Sequence, residues 1–290
     1  MVWRFPTVLL LSASSKSATD AFSVTTIRDA SLSIESYVHK NFNVTYLNKP
    51  AAPRRENEPS IVLVHPVGIG LSSWFWTKMM EEYTDNPGIF APDLLGCGLD
   101  HGASAWNPDE QGLFFPLSWT EGIETLLNDK VGEEGCTVVV QGGLAPVGIL
   151  LASRNPQKVK RLILTSPPTH EDIVNAVNED ELKRNYDILR SNVPGSFAFR
   201  LLEMRSLIKL FSDLFLFEDG CDDRWLDETQ REIRPEARTP VQAFNAGLLQ
   251  HRSYLDELRE IAQPVFIVSG NSDKRAANRE GFRADSKFRL

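Results

Sequence analysis

The sequence predicts an α/β fold, a mostly parallel sheet flanked by helices, and three observations carry that reading. Short apolar runs rich in β-branched residues recur at Ile61–Val64, Thr137–Val140, Val159–Thr165 and Pro264–Val268, as suits strands covered on both faces. Each run ends in a turn rich in Gly, Pro or Ser: His65-Pro-Val-Gly-Ile-Gly70, Gln141-Gly-Gly143, Ser166-Pro-Pro168 and Gly270-Asn-Ser-Asp273. Helical stretches lie between the runs, the alternation expected of a parallel sheet with helical crossovers.

The elements follow in order. Phe42, Val44 and Tyr46 alternate with polar residues and read as an opening strand or hairpin. After the strand at 61–64, Ser72 or Ser73 is placed to cap a helix carrying Trp74, Trp76, Met79, Met80 and Tyr83. Ile89–Ala91 is a short strand that leads into Asp93-Leu-Leu-Gly-Cys-Gly98. A helix is expected over 116–130, and another from Pro146 to Ser153, where Pro is tolerated in the first turn. From 171 to 234 the pattern is mainly helical, with Leu201, Met204, Ile208, Phe211 and Phe215 on one face. A further helix is expected over 241–261, before the strand at 264–268.

With 290 residues, 42% of them apolar, the chain is long enough to bury a sizeable core. The net charge of −8 argues against a broad basic face for nucleic acid and against a polybasic membrane-surface binder. Three widely spaced cysteines, Cys97, Cys136 and Cys221, give neither a disulfide framework nor a CxxC metal spacing. His39, His65, His101, His170 and His251 include no HxxxH pair, so no metal is expected. Without a Walker loop or a GxGxxG turn, no nucleotide cofactor is expected either.

The first 36 residues read as a targeting presequence. Trp3 and Arg4 precede the apolar run Pro6–Leu11, which is too short to span a bilayer, and a small-residue stretch with Ala21-Phe22 follows. This resembles the two-part plastid-targeting presequences of diatoms and related algae; a secretory signal is the alternative. The expected organisation is a presequence over 1–36, one domain over 37–273 with a helical cap at about 168–240, and a polar tail over 274–290.

Four signposts occur in order: His65-Pro66 after a buried strand, Asp93–Gly98, the strand–turn–helix at 137–153, and Gly270-x-x-Asp273 after a strand. Together they resemble the α/β-hydrolase superfamily of the AB hydrolase-1 type. More narrowly, His65-Pro-x-Gly-x-Gly-Leu-Ser72 and Val140-Gln-Gly-x-x-x-Pro-Val147 resemble a cyanobacterial and plastid branch. The resemblance implies a G-x-S-x-G turn between the strand at 137–140 and the following helix. Here Gly142 stands in the nucleophile's place, and no Ser, Cys or Asp lies between Val138 and Ala152. Glycine adopts the disfavoured backbone of such a turn without strain. It therefore keeps the turn while removing the acyl-enzyme route; a ligand filling the bare turn is the alternative.

By the same resemblance, the backbone N–H groups of Val67 and Gly143 match the oxyanion donors. His65 matches a structural histidine, and Asp93 matches a carboxylate at the same sheet edge. Asp273 matches the acid that orients a catalytic histidine. Seventeen residues follow Asp273, none of them His, and the fold's last strand finds no counterpart. Cys97 near His101 is an alternative thiol site only if its pKa is lowered. Trp74, Phe75, Trp76, Phe114, Phe115 and Trp119 either line an apolar cavity or fill the core. The resulting expectation is a hydrolase-like protein for a small apolar ester-type molecule, lacking a Ser-His-Asp triad. The alternative is a non-catalytic binding or interaction protein.

Overall fold

A computed structural model describes residues 32–111, 117–176, 178–247, 249 and 251–270. The strands are β1 (Ser33–His39), β2 (Phe42–Lys49), β3 (Ser60–Val64), β4 (Ile89–Pro92), β5 (Cys136–Gln141), β6 (Val159–Thr165) and β7 (Val265–Val268). They form one sheet in the order β1-β2-β4-β3-β5-β6-β7. The β1–β2 hairpin and its join to β4 are antiparallel, and every pair from β4 to β7 is parallel. The expected α/β class is therefore observed. β1 begins at Ser33, so four of its residues lie on the presequence side of the boundary expected at 36/37.

Before β6 come the helices α1 (Thr77–Glu82), α2 (Pro108–Gln111), α3 (Leu117–Lys130) and α4 (Ala145–Arg154), and α11 (Leu255–Glu260) precedes β7. Between β6 and α11 come α5 (His170–Val174), α6 (Glu179–Arg190), α7 (Phe197–Leu202), α8 (Arg205–Phe215), α9 (Asp223–Glu232) and α10 (Arg238–Asn245). They occupy the stretch in which a helical cap is expected at about 168–240, and α10 runs on to Asn245. Two helix expectations change. The helix expected over 241–261 is two helices, α10 and α11, separated at Ala246 and Tyr254. The helix expected to open at Ser72 or Ser73 begins as a 3-10 turn over Ser73–Trp76, with no side-chain cap.

The core sits on both faces of the sheet. Val62, Val64, Val138, Val140, Leu162 and Leu164 pack with α3 and α4 on one face. Leu47, Leu63, Ile89 and Ala91 pack with Trp76 and Met80 on the other. This two-sided burial is why the central strands read as continuous apolar runs. Gly148 explains how closely α4 approaches the sheet: a Cβ there would lie 2.6 Å from Val140 Cγ2. No helix among the described residues is long and apolar enough to cross a membrane.

Candidate functional site: a nucleophile elbow carrying glycine

Three loops leave the same edge of the sheet side by side. β3 pairs with β5 through Val64 and Val140, so the loop starting at His65 emerges beside the turn starting at Gln141. β4 lies on β3's other side and delivers Asp93.

The chain turns sharply after β5. Gln141 is extended (φ −96°, ψ 130°) and Gly142 is left-handed at φ +59°. A 3-10 turn over Gly142–Leu144 then leads into α4, with Pro146 in its first turn. A residue bearing a Cβ pays roughly 1–2 kcal/mol to hold the left-handed region, whereas glycine holds it freely. A Cβ built on Gly142 meets nothing within 4 Å, so the space above the turn is open. At Gly143 a Cβ would lie 2.5 Å from Cζ of Phe244, whose ring, carried by α10, covers that residue.

His65 is fully buried, with both ring nitrogens occupied. Nδ1 lies 2.9 Å from the Pro66 carbonyl, and Nε2 accepts the Leu94 N–H at 3.0 Å. The second bond requires an unprotonated Nε2, which places the proton on Nδ1 as donor to Pro66. Burial pushes the imidazole down to about 4, keeping it neutral. The ring therefore ties the loop after β3 to the loop after β4.

Asp93 is 2% exposed; its Oδ2 accepts the Thr45 hydroxyl at 2.5 Å and its Oδ1 accepts the Ser73 N–H at 2.7 Å. Burial, reinforced by the negative charge of Glu232, pushes its carboxyl up to about 6 against the lowering effect of those hydrogen bonds. Glu232, at the end of α9 and 4% exposed, accepts the Ser72 hydroxyl at 3.0 Å and the Asp100 N–H at 3.4 Å. Arg234 adds bonds to the Leu99 carbonyl and the Asp100 carboxylate. The cap is thus clamped to the loops at the sheet edge. Gly70 (φ +65°) completes the contact, since a Cβ there would overlap the Thr229 carbonyl of α9.

Trp74 donates its indole N–H to the Gly70 carbonyl at 2.9 Å and packs edge-on against Trp225 of α9. It is part of this joint between cap and core. Trp119 is 1% exposed and bonds the Leu95 carbonyl, so it is core. Phe114, Phe115 and Asp273 lie outside the described residues. The Cys97 thiol is buried and raised well above its usual value, by burial first and then by Asp93 and Glu232. That direction is opposite to the lowered pKa that the alternative thiol site requires. Among the described residues no three His, Cys, Asp or Glu side chains are grouped to hold a metal.

Sequence reasoning missed two residues at this edge. Glu232 is an unremarkable acid in an amphipathic helix, and its partners lie 132 and 160 residues away. Phe244 gave no signal, because only the third dimension brings α10 over Gly143.

A sharp strand–turn–helix beside a glycine loop, under a helical cap, defines a protein of the α/β-hydrolase class. The comparisons agree. Residues 61–289 match the model of the alpha/beta hydrolase family, and the chain belongs to that family. It is 25% identical over 226 residues to the 2-hydroxymuconate semialdehyde hydrolase of Pseudomonas sp. strain CF600, covering 74% of this chain and 70% of that protein. It is 30% identical over 112 residues to a cis-3-alkyl-4-alkyloxetan-2-one decarboxylase of Shewanella oneidensis, covering 38% of this chain. That match spans about a third (32%) of the decarboxylase's length.

Among solved structures, a thioesterase domain from the curacin biosynthetic pathway superposes with a TM-score of 0.61 at 17% identity, covering 89% of this chain and 91% of the other. The haloalkane dehalogenase DbeA from Bradyrhizobium elkani superposes with a TM-score of 0.59 at 15% identity, covering 87% of each chain. At these identities the likeness shows the fold alone.

Proposed function

We propose that this chain is a non-catalytic α/β-hydrolase-family protein that binds a small apolar ester-type molecule over the Gly142 turn. The observation that carries the reading is the turn itself: left-handed backbone, no attacking atom, and open space where a side chain would stand. His65 and Asp93, the titratable groups nearest in the fold's logic, are spent on backbone and hydroxyl partners. Phe244 supplies an apolar wall beside the turn. Two relatives are named for an alkyl-substituted oxetanone, which is a cyclic ester, and for a semialdehyde. Both are compact carbonyl compounds, and that chemistry suits an apolar site with a few backbone donors.

The test is a binding and turnover panel of short-chain esters and β-lactones on the full chain. Saturable binding without turnover, together with no labelling by a fluorophosphonate probe, is the expected result. Specific fluorophosphonate labelling of the wild-type chain would overturn it.

A second reading rests on the adjacency of the two loops. The N–H groups of Val67 and Gly143 lie on neighbouring loops at the edge where the fold stabilises an oxyanion. Modest ester turnover lost in Asp273→Ala would select this route. For destination, we propose the plastid, tested by whether a fluorescent protein fused to residues 1–36 enters it in a diatom.

A further inference from the structure

We infer that the outer face of α8 is a self-association surface, on which a second copy of this chain packs with its own α8 antiparallel. The helix rests on the protein through one edge only. Ile208 and Ser212 are buried, and Ser212 Oγ accepts the Trp225 indole N–H at 3.0 Å. Yet its apolar character runs well past that edge. Leu210, Phe211, Leu214 and Phe215 recur at i, i+1, i+4 and i+5, so they share a face. They are exposed by 49%, 42%, 64% and 70%, and the Phe211 and Phe215 rings stack at 5.9 Å. Met204 before the helix and Leu216 after it are exposed as well. The face that the sequence pattern assigns to Leu201, Met204, Ile208, Phe211 and Phe215 is therefore mostly turned to solvent, with Ile208 alone in the core.

Area and charge select the occupant. Side chains of this size at these exposures leave roughly 600 Å² of apolar surface, the upper end of what a monomer carries. Doubled across a two-fold axis, it reaches the ~1,200 Å² at which specific interfaces begin. The charges along the helix run against its own dipole. Arg205 opens it and Arg200 precedes it, whereas Glu218 and Asp219 follow its C-terminus. A helix N-terminus favours acids and a C-terminus favours bases. An antiparallel second copy sets Arg200 of one chain towards Glu218 and Asp219 of the other and opposes the two helix dipoles. An anionic bilayer finds little to attract it, because Arg205 is paired with Asp227, Lys209 with Asp213, and the chain carries −8 overall.

The test is sedimentation equilibrium of the full chain at micromolar concentration, alone and with phosphatidylcholine vesicles. A dimer is expected, converted to monomer by Leu214→Glu with an unchanged far-UV circular dichroism spectrum, since Leu214 is exposed in the free protein. In a Cys221→Ser background, Leu210→Cys should cross-link two chains through a short bis-maleimide. Val38→Cys, more exposed but on β1, should not. A monomer at 50 μM, or a chain that floats with the vesicles without dimerising, would overturn the inference.

Discussion

Phe244 Cζ stands 2.5 Å from the point where a Cβ on Gly143 would lie, whereas the same construction on neighbouring Gly142 meets open space. Two adjacent glycines therefore answer to different constraints: Gly142 to its backbone angle, Gly143 to a ring on the cap.

Gly142→Ser should fold normally and lose about 1–2 kcal/mol, the cost of a left-handed non-glycine residue. Gly143→Ala should lose about 1–3 kcal/mol by crowding the ring, and most of that loss should vanish in a Phe244→Ala background. Urea denaturation of the four variants measures the coupling. Additive losses for Gly143 and Phe244 would show that the ring does not confine the turn.

Acid stability should hinge on Asp93 and His65 acting in opposite directions. Asp93, raised to about 6, binds more proton folded than unfolded, so its contribution favours the folded state at low pH and is lost as pH rises through 6. His65, lowered to about 4, does the reverse: its contribution is intact above about 6.5 and is lost as pH falls towards 4. The two largely offset each other between pH 4 and 6. Asp93→Asn removes one side of the balance, so the variant should lose on the order of 2–3 kcal/mol between pH 6.5 and 4, more steeply than wild type. Melting curves across that range decide it.

Glu232→Ala should leave the buried Ser72 hydroxyl without its acceptor and cost about 1–3 kcal/mol. Glu232→Gln keeps an acceptor and removes a negative charge facing Asp93. It should cost less, and it should lower the pH at which Asp93 takes up its proton, followed by carbonyl NMR of labelled aspartate. No movement of that titration would mean the two carboxylates do not sense each other.

Glu203 and Arg238 form a bidentate pair across the cap, with one arm at 2.6 Å and both side chains largely buried. Glu203→Ala should strand the guanidinium and cost about 3 kcal/mol or more, while Glu203→Ala with Arg238→Met should recover much of it. Amide exchange in α7 and α10 locates the loss.

The sheet was legible because its signals are local. A β-branched run covered on both faces looks the same wherever it sits, and β3, β5, β6 and β7 fall within a residue or two of their expected bounds. The turn at Gly142 was legible for a similar reason, since strand, glycines and Pro146 are contiguous. The cap was harder to read. Its helices were visible, but the break at Glu203–Met204 and the outward rotation of α8 depend on what α9 packs against, which periodicity does not encode. The Asp93–Glu232 relationship joins residues 139 positions apart through the adjacent Ser72 and Ser73, and no spacing rule reaches that far.

The open space around Gly142 bears on what the position can accept. Glycine codons GGT and GGC stand one base change from serine AGT and AGC, and the fold has room for the hydroxymethyl group such a change would install. Nothing in the backbone penalises retention of the glycine, and nothing in the surrounding space blocks its replacement. A hydroxyl reinstated here would meet no steric obstacle, only the strain of a left-handed backbone.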